Sequence, residues 1–241
     1  MLRPCILKTL ILFGLSLTSF SVMAQNATDG QGRKQGPWIK TYDGSEDVKY
    51  TGQFKDDKPF GKFLYYYEGG QLSSEVLFSE NGSVSRTKSF HDNGQLMASG
   101  NYIDQMKDSV WVYYDRQGRI RSTEEWSKGV KDGVCETFYS NGQLAERSNY
   151  ENDILNGEWR QYFDDGVLKV EAGYVGGEPE GEMKYYYPNG KPEITGKVIN
   201  GFRDGNWIYY NEDGSIQIQV LYQQGKVAKE KRENGLFKDY Y

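Results

Sequence analysis

Glycine recurs every 24 residues without a slip at Gly70, Gly94, Gly118, Gly142, Gly166, Gly190 and Gly214. A fixed period of that length is the mark of a repeat architecture, in which one small unit is stacked many times. Other columns keep the same step. Gly61, Gly133, Gly157, Gly181 and Gly205 form a second glycine series, with Ser85 and Ser109 in the two missing places. Trp111, Trp159 and Trp207 share a column with Phe63, Cys135 and Met183. Three residues further on stand Tyr66, Phe90, Tyr114, Phe138, Tyr162, Tyr186 and Tyr210. Late in the unit come Phe78, Tyr102, Trp126, Tyr150, Tyr174 and Tyr222.

Each unit reads as a β-hairpin. Its first strand is seen in Gly157-Glu158-Trp159-Arg160-Gln161-Tyr162-Phe163, and its turn is an Asn-Gly or Asp-Gly pair such as Asn93-Gly94, Asn141-Gly142 or Asp165-Gly166. Such pairs tolerate the positive φ of a type I′ turn. The second strand alternates, with Leu168, Val170, Ala172 and Tyr174 on one face and polar residues between them. A looser Tyr-x-x-Gly loop is expected to lead to the next unit. Trp159 and Tyr162 are an odd number of residues apart, so an unbulged strand puts them on opposite faces; which one lies inside is left open.

The expected fold is all-β: an elongated, single-sheet solenoid of stacked antiparallel hairpins, with about eight units over residues 33–225. Residues 25–32 form a polar lead-in without a packing signal. Residues 226–241 read as a degraded cap, because the charged run Lys229-Glu230-Lys231-Arg232-Glu233 discourages edge pairing and Lys231 replaces the tryptophan of the column.

Residues 1–24 read as a secretory signal: Arg3 and Lys8, the apolar run Leu10–Leu17, then Val22-Met23-Ala24 before Gln25. The apolar run is too short to span a membrane, so no transmembrane segment is expected after cleavage. Export, to the periplasm or beyond, is therefore the expectation. Cleavage leaves Cys135 alone, so no internal disulfide staples the fold. The net charge of −5 becomes more acidic when Arg3 and Lys8 are lost, which disfavours nucleic acid and anionic lipid.

With these columns in place, the chain resembles the bacterial MORN-repeat-variant family, often catalogued as YwqK-type antitoxin proteins. The resemblance rests on Gly157-Glu158-Trp159, Tyr162, Asp165-Gly166-Val167-Leu168 and Tyr174-Val175-Gly176-Gly177, and extends over about residues 33 to 228. It implies a curved sheet of hairpins used for protein or membrane-surface contacts, with no catalytic residues, and the antitoxin label implies a toxin partner.

Catalytic chemistry finds little support. His91 is the only histidine and flanks the Asp92-Asn93-Gly94 turn, so it fills a variable repeat position. Cys135 occupies the tryptophan column as a small hydrophobe. One His and one Cys cannot make a zinc site. The carboxylate pairs Asp56-Asp57, Glu124-Glu125 and Asp164-Asp165 are accounted for by turn preferences. No enzyme activity, metal or cofactor is expected. Neighbours along a strand point to opposite faces, so runs such as Tyr65-Tyr66-Tyr67 and Tyr185-Tyr186-Tyr187 are expected to expose rings. A row of exposed rings at Tyr66, Tyr114, Tyr162, Tyr186 and Tyr210 is the candidate binding surface. The expected function is a monomeric, exported interaction scaffold at the cell envelope whose partner is an unidentified protein or glycan. The alternatives are a carbohydrate-binding module built on the tyrosine row and a YwqK-type antitoxin.

Overall fold

A computed structural model describes residues 25–232 and 238–239. The expected signal segment, residues 1–24, lies outside the described residues, as does part of the expected cap. The chain is a meander. Its strands are β1 (Ala27–Thr28), β2 (Lys34–Thr41), β3 (Val48–Lys55), β4 (Lys58–Tyr66), β5 (Leu72–Phe78) and β6 (Val84–Phe90). There follow β7 (Leu96–Ile103), β8 (Met106–Tyr114), β9 (Ile120–Ser127), β10 (Val130–Phe138), β11 (Leu144–Glu151) and β12 (Ile154–Tyr162). The last are β13 (Leu168–Val175), β14 (Glu178–Tyr186), β15 (Pro192–Ile199), β16 (Phe202–Tyr210), β17 (Ile216–Gln223), β18 (Lys226–Arg232) and β19 (Lys238–Asp239). Strands β2 to β19 make one open antiparallel sheet of 18 strands, each paired with the strands before and after it. The two-residue β1 adds to its first edge.

The turns are assigned the other way round from the sequence expectation. After the first strand of a unit the loop has three residues: the Gly94 amide donates to the His91 carbonyl at 2.9 Å, and the His91 amide to the Gln95 carbonyl at 2.8 Å. Gly94, Gly142, Gly166, Gly190 and Gly214 have positive φ, but Asn93, Asn141, Asp165, Asn189 and Asp213 do not. A type I turn closed by a left-handed glycine is a three-residue hairpin loop, not type I′. Its Asn or Asp works through its side chain instead, accepting the amide two residues on, as Asn141 Oδ1 does from Gln143 at 2.9 Å. The loop expected to be looser is the tight one. Asn152 and Asp153, or Gly176 and Gly177, both take positive φ between directly paired residues, Glu151 with Ile154 and Val175 with Glu178. These are the type I′ turns.

The sheet has one apolar and one polar face. We call the side carrying the Trp column the front and the other the back. Trp207 is 0% and Phe63 1% exposed although only one layer of sheet is present. They are buried by their neighbours and by a bulge. Where most first strands pair with the strand before them, the register shifts by two residues, as between Thr195/Lys197 of β15 and Ile208/Asp204 of β16. The bulge contains Gly205 at positive φ and tips Trp207 onto Gly196. Phe63 lies on Gly52 and Trp111 on Gly100 in the same way. A Cβ at any of the three glycines would fall inside the ring, so only glycine fits beneath it.

The lead-in is more than a polar tail. Asn26 clasps Ile39 by two bonds, Nδ2 to the carbonyl at 3.0 Å and the amide to Oδ1 at 2.8 Å, and β1 shields the edge of β2. At the other end β18 pairs along β17, and Lys229 and Glu230 pair with Asp239 and Lys238 of β19.

Candidate functional site

On the front face, cations lie over the aromatic rows. Lys107 Nζ sits 4.8 Å from the centroid of Trp111, 5.2 Å from Tyr113 and 4.4 Å from Trp126. Arg203 covers Trp207 at 4.3 Å and Tyr222 at 5.5 Å, and Lys34 covers Trp38 at 4.9 Å. Each cation stands near the head of its first strand and spreads its aliphatic stem over the rings, which helps exclude water from a one-layer core.

The most polar part of this face surrounds Glu124, which occupies the place that Gly100 and Gly196 hold in their own units. Its carboxylate meets Lys131 at 2.9 Å and accepts from Trp126 Nε1 at 3.1 Å. Lys107 donates to Tyr113 at 2.6 Å, and Tyr113 hydrogen-bonds Glu124 in turn. Burial works against the Glu124 charge, but Lys131 and Tyr113 overcome it and hold the carboxyl below its ordinary value. Burial pushes the Tyr113 phenol up, reinforced by the Glu124 charge, and also raises the Cys135 thiol. A thiol whose ionised form is disfavoured is a packing residue. Glu125, on the back, accepts the Val134 amide at 2.9 Å and fills the space beside Gly133. Among the described residues no group of three or more His, Cys, Asp or Glu side chains could hold a metal ion.

The back face carries the tyrosine row. Tyr66, Tyr114, Tyr162, Tyr186 and Tyr210 are half-buried, which corrects the expectation of a row of exposed rings. Packing along the sheet partly covers each ring, and a set of cross-repeat staples runs beside the row. Tyr67, Tyr139 and Tyr187 donate their hydroxyls to the carbonyls of Phe90, Tyr162 and Tyr210 at 2.8, 2.7 and 2.6 Å. Tyr42 does the same to Tyr66 at 2.7 Å, and His91 Nε2 to Tyr114 at 3.1 Å. These bonds hold the backbone of the tyrosine row against the preceding unit. Tyr186 itself donates to Glu171 Oε1 at 2.7 Å; burial first, then that carboxylate, pushes its phenol up to about 12.

Around the row the back face is laced with ion pairs, such as Lys62–Glu75 at 2.8 Å and Arg147–Glu136 at 3.0 Å. Several apolar side chains of the sheet are nonetheless exposed, Val175 and Phe202 among them. Leu77 and Val110 are 51% and 48% exposed and line a shallow depression of about 450 Å³ with Glu75, Arg86 and Lys88.

Sequence reasoning missed the glycines beneath the rings and this apolar patch. The glycines carried a signal, since each stands eleven residues before its Phe or Trp. The patch carried none, because Leu77 of β5 and Val110 of β8, with Arg86 and Asn101 between them, come to line one depression only through sheet pairing.

A one-layer sheet of hairpins, each unit packed mainly on the next, with rings and cations on one side and ion pairs on the other, defines a repeat scaffold of the binding type. The chain belongs to the family described as MORN repeat variant, whose model matches residues 61–80, 85–104, 131–152, 155–175, 179–200 and 203–224. No curated protein matches it. Among solved structures it is similar to a chain of a TcdB2-TccC3-Cdc42 crystal structure, at 13% identity and a TM-score of 0.25, covering 89% of this chain and 15% of that one. It is also similar to a porin-like protein from Bacteroides uniformis, at 11% identity and a TM-score of 0.21, covering 84% and 92%. The chain thus spans only a small part of the first of these. Among the described residues no helix is long and apolar enough to cross a membrane.

Proposed function

We propose that this chain is a non-enzymatic, exported repeat scaffold that holds a protein partner at the cell envelope. The observation that carries the reading is the back-face depression lined by exposed Leu77 and Val110 together with Glu75, Arg86 and Lys88. Exposed apolar side chains interleaved with charged ones suit a protein contact, because burying the former releases water while the latter pair with a partner's polar groups. The half-buried row Tyr66, Tyr114, Tyr162, Tyr186 and Tyr210 forms a flank of that face. The acidic net charge supports a protein over a nucleic acid.

The test is capture from an envelope extract with residues 25–241 as bait and a Leu77→Asp/Val110→Asp variant as control. Both positions are exposed, so the variant keeps the fold. A protein held by the first bait and lost from the second supports the reading; equal capture by both overturns it. Capture of a toxin from cytosol, together with an uncleaved leader, would favour the YwqK-type antitoxin role over export.

A further inference from the structure

The front face has a gap at β6, and we propose that it binds a single neutral sugar ring of a glycan. In β6 the repeat loses both of its front-face rings: Thr87 stands in the tryptophan column, and Ser89 stands where Tyr65, Tyr113, Tyr185 and Tyr209 stand in their units. The backbone follows. Ser85, in the glycine column, does not take positive φ, and β5 pairs with β6 without a register shift. What remains is a cleft of about 430 Å³.

Its walls are aromatic and its floor is hydroxylic. Tyr65 of β4 and Phe78 of β5 flank it on one side, and Tyr102 of β7 on the other. The walls are held from behind: Phe63 packs edge-on to Phe78 at 5.1 Å and stacks with Tyr65 at 6.2 Å, while Trp111 meets Tyr102 edge-on at 4.9 Å. Ser74, Ser85, Thr87 and Ser89 surround Val76 on the floor, with the Ser74 hydroxyl donating to the Lys88 carbonyl at 3.0 Å, and Gln105 stands at the rim. No charged residue lines the cleft, although 26% of the chain is charged and strands β8 to β10 fill the same face with Lys107, Glu124 and Lys131.

That combination selects for ligand chemistry. A pyranose has C–H faces that lie on aromatic rings and hydroxyls that pair with Ser, Thr and Gln side chains. A phosphate or carboxylate would lose its water and meet no cation, and an aliphatic chain would leave the hydroxyl floor unpaired. The cleft lies on the opposite face from Leu77 and Val110, so this site stands or fails independently of the protein contact proposed above.

The experiment is calorimetric titration of residues 25–241 with cellotetraose, maltotetraose, chitotetraose and mannotetraose, with trigalacturonate as the charged comparator. The discriminating variant is Ser89→Tyr. It fills the cleft with the ring other units carry there, and its cross-strand neighbours Ser74 and Ala98 are as small as the Ala98 and Ser122 that flank Tyr113. Thr87→Val serves as a second variant that removes one floor hydroxyl while keeping the volume. The expected result is binding of at least one neutral tetrasaccharide, weakened about tenfold or more by Ser89→Tyr, weakened also by Thr87→Val, and unaffected by Leu77→Asp. Silence with all four neutral sugars, tighter binding of trigalacturonate, or undiminished binding by both cleft variants would overturn the proposal.

Discussion

The Nε2 of His91 donates to the backbone carbonyl of Tyr114 across 3.1 Å, in the position where Tyr67, Tyr139 and Tyr187 reach Phe90, Tyr162 and Tyr210 with their hydroxyls. The only histidine of the chain is thus a tyrosine substitute in a structural ladder, and its chemistry is that of a donor.

His91→Tyr is therefore expected to keep the staple and the stability, while His91→Ala loses one net hydrogen bond, about 1 kcal/mol. Phe163 occupies the same column without a hydroxyl, and the repeat spacing makes the Tyr186 carbonyl the corresponding acceptor. Phe163→Tyr is expected to add a staple and gain about 1 kcal/mol. Urea unfolding of the three variants checks both directions; a neutral His91→Ala would show that the ladder contributes nothing.

The glycines under the rings are expected to be intolerant. Gly196→Ala forces Trp207 off its seat and is expected to cost about 1–3 kcal/mol, as overpacking does. Ala172→Gly, in the same column opposite Met183, is expected to cost only about 0.5–1 kcal/mol through chain entropy. Equal losses for the two would mean that the ring does not bear on the glycine.

Ser85 and Ser109 occupy the same column but not the same conformation. Ser109 holds φ of 61°, the left-handed region its glycine counterparts use, whereas Ser85 lies in regular strand. Ser109→Gly is expected to stabilise by about 1 kcal/mol by removing backbone strain. Ser85→Gly is expected to destabilise by about 0.5–1 kcal/mol. Opposite shifts of the thermal midpoint are the signature.

Tyr186 ionises late because burial and the nearby Glu171 carboxylate both favour its neutral form. Its pKa in the folded chain is about 12, above the ordinary 10. A raised folded pKa stabilises the fold below the unfolded value, and that contribution is lost as pH climbs from about 10 to about 12. Glu171→Gln is expected to bring the transition down toward 10, read by ultraviolet difference titration against Tyr186→Phe. An unmoved transition would show that burial alone accounts for the shift.

The hairpins were legible because their signals are local. Val170 and Ala172 are buried on one side of β13, as alternation requires. The turn types are not legible in the dipeptide because Asn-Gly suits two loops: a type I′ pair, and a three-residue loop in which only the glycine is left-handed. The loop length, not the dipeptide, decides, and that length follows from how the flanking strands pair. Strand parity puts the tyrosine row on the face away from Trp159 but does not give its exposure, because that depends on contacts between units, whose residues lie some 23 or 24 positions apart.

The sequence by itself determined the period, the strands and the class of fold, since each unit repeats the same short-range preferences for strand and turn. Only the tertiary structure decided which rings are buried and where the row is broken. Those outcomes depend on bulged pairing between strands: it lays Trp207 on Gly196 and Trp111 on Gly100, but it is absent at Ser85, leaving Thr87 at the floor of a cleft. Two serines in one column cannot reveal that difference, because it is set by what each strand must pack against.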